Sequence, residues 1–191
     1  MPKKLRLTGD ADADKLLSSD PFALLTGLLL DQQFPMEHAF MGPKKIADRM
    51  DGFSITKIAE TPVEEFVELC VVPPAIHRYG GSMARRVHAL AHHILEHYDG
   101  KADRIWKSGK PDGKEVLRRV KALPGYGDQK ARIFVALLGK QLGVTPEGWR
   151  EAAGAYGEEG SHRSIADVTS AESLAEVRAF KKAAKAAAKA K

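Results

Sequence analysis

Five residues, Leu123-Pro124-Gly125-Tyr126-Gly127, separate two amphipathic stretches and restrict what this chain can fold into more than any other segment. Val116, Leu117, Val120 and Leu123 recur at helical spacing before the turn, and Ala131, Phe134, Val135 and Leu138 recur after it. Each side therefore predicts a helix with one apolar stripe, over about 113–122 and 128–142. Pro124 fixes one φ, while Gly125 and Gly127 permit positive φ and carry no Cβ to hold a partner away. A helix that starts directly after such a turn leaves its first N–H groups unpaired at the positive end of its dipole, which suits a phosphate. Lys121, Lys130 and Arg132, with Arg118 and Arg119 upstream, can add charge there, although a backbone cradle reads no sequence.

Helical punctuation continues through the chain. Asp20 reads as an N-cap with Pro21 in the first helical position, and Phe22, Leu24, Leu25, Leu28, Leu29 and Leu30 make the segment apolar nearly all round, as in a central core helix. Pro35 opens a stretch with Met36, Ala39 and Phe40, which Gly42-Pro43 interrupts. Thr61-Pro62-Val63-Glu64 reads as a capping box, Tyr79-Gly80-Gly81-Ser82 as a flexible loop, and 83–98 as a helix with the stripe Met83, Val87, Leu90 and Ile94. Thr145 reads as the cap of a short helix with Glu147 in its first turn, and Thr169 with Glu172 as the cap of the last helix. No useful length of period-2 alternation occurs, so the fold class is all-α.

With 191 residues the chain suffices for one domain, or for two small helical lobes sharing a cleft. Its 30 Lys and Arg outnumber 25 Asp and Glu for a formal charge of +5. Arg178, Lys181, Lys182, Lys185, Lys189 and Lys191 follow Glu176 with no acid among them, which divides a near-neutral body, 1–176, from a basic Lys/Ala tail, 177–191. A polyanion must then be bound by a patch. The single Cys70 excludes an internal disulfide and a cysteine-ligated cluster, and suits a reducing compartment. Residues 1–7 are basic but no apolar segment follows them, and no apolar run approaches ~18 residues, so a soluble, cytoplasmic, monomeric protein without a membrane partner is expected. His88, His92, His93 and His97 lie at helical spacing without a matching carboxylate, and no metal is expected.

The stretch V-K-A-L-P-G-Y-G-D-Q-K-A-R-I-F resembles the helix-hairpin-helix of the endonuclease III, or HhH-GPD, glycosylase superfamily. D-P-F-A-L-L-T-G-L-L-L-D-Q-Q resembles its first core helix, and R-Y-G-G-S-M-A-R-R-V-H-A-L the loop and helix leading towards the hairpin, so the resemblance covers roughly 21–149. It implies a two-lobed helical fold with a cleft, hairpin at 113–142, that binds duplex DNA containing a damaged base. Gln33 holds the position of the family's Gln that enters the stack where a base has been expelled. Gly125, Tyr126, Gly127, Lys121, Lys130 and Arg132 are the remaining candidate DNA contacts. A monovalent cation on the hairpin carbonyls is compatible with the resemblance; an iron–sulfur cluster is not expected, since four cysteines cannot come from one.

Members that also cut the backbone place a nucleophilic Lys two residues after the second glycine, where this chain has Gln129. Lys130 is rotated about 100° along the helix and does not inherit that role. The resemblance therefore implies a monofunctional enzyme that uses water, with Gln129 contacting the extruded base or sugar. The family's Asp at the cap of the next helix is replaced by Thr145, and Glu147, which follows Gln129 at the family's Lys-to-Asp separation, is one candidate carboxylate. Asp31 is the other, an acid ending a very apolar helix; Asp128 reads as an N-cap and Asp167 as an outside candidate. Trp106, Trp149, Tyr126, Phe34 and His77 are candidate stacking groups. The expected function is removal of a modified base, a pyrimidine slightly favoured; a non-catalytic lesion sensor that kept the hairpin is the alternative.

Overall fold

The computed structural model describes residues 4–191, and among these no strand occurs. Of the basic N-terminal stretch, residues 1–3 lie outside the described residues. The helices are α1 (Ala11–Ser19), α2 (Pro21–Leu30), α3 (Met36–Ala39), α4 (Gly42–Met50), α5 (Ile55–Glu60), α6 (Val63–Val71), α7 (Gly80–Tyr98), α8 (Arg104–Lys107), α9 (Gly113–Lys121), α10 (Asp128–Gln141), α11 (Trp149–Ala153) and α12 (Ala171–Lys189). Two 3-10 turns, Gly154–Gly157 and Ile165–Asp167, lie between α11 and α12.

The apolar run after Pro21 becomes the centre of the molecule. Asp20 accepts from the N–H groups of Phe22 and Ala23 (2.9 and 3.2 Å), and every residue of α2 from Phe22 to Leu30 is buried. At roughly 1.5–3 kcal/mol for each large aliphatic side chain removed from water, this helix is where the surrounding elements gain most by packing. α1, α4 and α7 lie against it, and so does α10 of the hairpin. α5 and α6 pack on α7, while α9, α11 and both 3-10 turns pack on α10. α2 thus joins the two groups in one continuous core.

Local signals placed several boundaries one to four residues away. Residues 80–82 of the expected loop at 79–82 are already helix, because α7 starts at Gly80, whose missing Cβ lets it lie against Val71, while Tyr79 stays in the turn before it. Thr61 does not cap α6; its hydroxyl donates back to Lys57 O (2.6 Å), and Pro62 precedes the helix with no side-chain cap. Thr145 does not open a helix either. α11 begins at Trp149 after Gly148, whose φ of +74° turns the chain into it. The last helix is capped one residue later than expected, by reciprocal bonds between Ser170 and Ser173 rather than by Thr169 and Glu172. The division at 176/177 falls inside α12, which runs unbroken into the Lys/Ala segment.

Candidate functional site

The hairpin has the expected ends, α9 stopping at Lys121 and α10 starting at Asp128. Gly125 takes a φ of +82°, and a Cβ there would overlap Leu29 Cδ1 of α2. Its first duty is therefore a close approach to the core helix. Gly127 departs from expectation: φ is −94° with extended ψ, open to any residue, and nothing lies near the place of its missing Cβ. Tyr126 departs further. Its side chain is 6% exposed, its hydroxyl donates to Leu25 O (2.6 Å) and its ring meets Phe134 edge-on. Burial raises its pKa well above the ordinary value. Tyr126 therefore anchors the hairpin to α2, and only its backbone is left to face a ligand.

The N–H groups of Gly127, Asp128, Gln129 and Lys130 find no acceptor among the described residues, and α10 has no side-chain cap. This leaves an open positive helix end. Asp128 is the first residue of the helix, not its cap. It is clasped by Lys121 (3.1 Å) and Arg132 (2.8 Å), which hold its carboxyl below the ordinary range. Arg132 also donates to Ala152 O (2.7 Å), tying α10 to α11. Two of the expected phosphate contacts thus share one carboxylate.

A cavity of about 1190 Å³ lies beside this helix end. Its wall brings together Asp31, Gln33, Gln129 and Lys130 from the candidate set, along with Tyr156 and the basic face of α12. Asp31 follows the last residue of α2 and its side chain is only 10% exposed, with Lys181 of α12 at 3.7 Å. Lys130 turns inward. Its ammonium donates to Leu28 O (2.8 Å) and Asp31 O (3.2 Å), the free carbonyls at the end of α2. Burial is the largest influence on this amine, lowering its pKa to about 8; the charge of Asp31 opposes the fall, and Lys181 and Arg86 add to it. Gln129 donates to the Tyr156 hydroxyl (3.0 Å) and is otherwise exposed.

Gln33 stands at the rim, exposed, with a φ of +52° that few residues without a special role adopt. Its neighbour Gln32 is tied down, donating to Leu29 O (2.9 Å) and accepting from Arg86 (3.3 Å). Buried His77 joins this loop to the next. Its Nε2 lies 2.8 Å from Gln32 O, so it donates there, while its Nδ1 accepts from Tyr79 N (3.0 Å), and Phe34 packs on its ring at 4.7 Å. Burial lowers the His77 pKa, which favours this neutral tautomer. Tyr79, half exposed beside Arg78, is an aromatic group absent from the expected stacking set, because its polar neighbours carry no hydrophobic period that would single it out.

The other candidates lie elsewhere. Glu147 is exposed, is not on the cavity wall, and spends its carbonyl on Gly113 N (2.7 Å), fixing the start of α9. Asp167 is buried with Lys140 (2.7 Å) and accepts from Ser161 and Arg163 N, closing its own 3-10 turn. Trp106 packs on Phe134 in the core, and Trp149 lies over Gly139 of α10. The four thiolates of an iron–sulfur site cannot be drawn from Cys70 alone, which is buried in the core with its thiol pushed up to about 12. Among the described residues no helix is long and apolar enough to cross a membrane.

The chain is all-helical, with a glycine hairpin and an open helix end suited to a phosphate standing beside an acid-bearing cavity. The family model of the HhH-GPD superfamily of base excision DNA repair proteins matches residues 26–191, and the chain belongs to that superfamily. No curated protein matches the chain. Membership places it among DNA-binding base excision repair proteins of glycosylase type.

Proposed function

We propose that this chain is a monofunctional DNA glycosylase that flips a damaged or modified base, a pyrimidine by preference, out of duplex DNA and hydrolyses its N-glycosidic bond. The observation that carries this reading is the nearly buried Asp31 carboxylate on the wall that also holds Gln33, Gln129 and Lys130. The open end of α10 holds a phosphate, Gln33 fills the place of the extruded base, and the base enters the cavity. Flipping costs a few kcal/mol and least at a damaged pair, so the cost contributes selectivity. Asp31 assists water or stabilises the sugar cation, a contribution of about 10²–10⁴ in rate. Gln129 at the family's amine position and the packing of Lys130 against α2 carbonyls support hydrolysis over lyase chemistry. The protein acts as a monomer without an iron–sulfur cluster.

Glycosylase assays on duplexes carrying a panel of modified bases test this, each read with and without alkali. Alkali-dependent cleavage on one lesion, lost in Asp31→Asn with DNA binding retained, is expected. Alkali-independent cleavage lost in Lys130→Ala would overturn the monofunctional assignment. A second reading, a lesion sensor without catalysis, is favoured by Gln129 at the family's amine position and by Glu147 not lining the cavity; salt-sensitive binding with no product on any lesion would establish it.

A further inference from the structure

Neither the hairpin nor Asp31 accounts for α12. Arg178, Lys181, Lys182, Lys185 and Lys189 recur three or four residues apart, on adjoining rows of one helix face, and all five line the cavity. The base of the helix is fixed: Val177 is buried, Arg178 pairs with Glu37, and His162 meets Glu176 at 2.9 Å. Lys181 is engaged with Asp31. Lys182, Lys185 and Lys189 have no acidic partner among the described residues, and everything from 182 onward is exposed. The residues between these lysines are alanines, which favour the helix but offer no apolar anchor and no group that reads a base. From Arg178 to Lys189 the face runs about 16 Å, the length of several nucleotides at ~3.4 Å rise per strand. Unpaired cations repeating along one wall match a polyanion of regular spacing better than a peptide of mixed side chains.

Building on the glycosylase reading, we propose that α12 is a second phosphate-contacting surface, taking the phosphodiester backbone of duplex DNA beside the extruded nucleotide while the hairpin holds it on the other side of the cavity. Anchored at Val177 and uniform in charge, it positions DNA without selecting sequence. The unpaired part of the tail charge is thereby placed next to the site, so that a nearly neutral body acquires its basic patch where DNA must lie.

The test compares the full chain with the triple variant Lys182→Ala, Lys185→Ala, Lys189→Ala; all three positions are exposed and alanine retains helix propensity, which circular dichroism verifies. Affinity for a labelled duplex carrying an abasic-site analogue is measured by anisotropy between about 50 and 300 mM KCl. At about 0.9 per phosphate contact, the slope of log affinity on log salt is expected to fall by roughly two to three, with binding weakened at least about tenfold at 0.1 M. An unchanged slope against a steeply salt-dependent wild type overturns this proposal and leaves the glycosylase reading standing. Absence of salt-dependent binding by the wild type would remove both. An unchanged slope together with lost binding to anionic phospholipid vesicles would assign the face to a membrane and overturn the proposal.

Discussion

Replacing Lys130 by Met tests the packing that joins the hairpin to α2. In the folded protein burial lowers this amine from 10.5 to about 8, equivalent to about 3 kcal/mol at about 1.36 kcal/mol per pH unit. The folded pKa lies below the unfolded one, so between about pH 8 and 10.5 the unfolded chain binds more protons, and stability rises with pH across that window. At pH 7 the whole cost is present; integrated from pH 7 to 10, about 2.5 kcal/mol of it is relieved. Methionine keeps the stem and removes the charge, together with the donor to Leu28 O and Asp31 O. The net change at pH 7 is the small difference between a relieved burial cost and two lost charge-assisted bonds of about 1.5–3 kcal/mol each. The pH dependence isolates the first of these. Urea unfolding at pH 7 and pH 10 is expected to show the wild type gaining about 2.5 kcal/mol more than Lys130→Met over that interval. Other groups that titrate there are common to both proteins and cancel. Equal pH slopes would refute a buried amine at the end of α2.

Three further outcomes are expected. Gly125→Ala has to adopt a positive φ, costing about 1–2 kcal/mol, and to displace Leu29, a further 1–3 kcal/mol, so urea unfolding should show a loss of about 2–5 kcal/mol; a loss below about 1 kcal/mol would contradict the close approach to α2. Burial, aided by the nearby charges of Arg78 and Lys130, lowers the His77 pKa, so the unfolded chain takes up the proton first and stability falls as pH drops below about 6.5; His77→Gln should flatten that fall in unfolding measured at pH 5 and 7, and an unaltered fall would remove His77 as its source. Asp128→Asn frees Lys121 and Arg132 and removes a negative charge in front of α10, so duplex affinity at about 0.1 M salt should rise about two- to fivefold, whereas unchanged or weaker binding would argue against a phosphate site there.

Local chemistry fixed much of this protein without help from the fold. The 3.6-residue stripes around Leu123–Gly127 determined both hairpin helices to within a residue, because an amphipathic face is written along one segment. The all-round apolar run after Asp20-Pro21 determined that α2 is central, because no surface helix can leave so much of itself in water. What neighbours each residue was decided only when distant segments met. Periodicity gave no reason for Tyr126 to point at Leu25 O or for Lys130 to reach the end of α2, both about a hundred positions away in the chain. Glu147 was the first candidate carboxylate along the sequence and Asp31 the second; the fold put Asp31 on one wall with Gln33 and Gln129 and Glu147 at the start of α9. The Lys/Ala segment was a compositional tail until α12 carried it to the cavity wall. Sequence spacing sets which face of an element is apolar, and tertiary closure alone sets what that face and its charged neighbours confront.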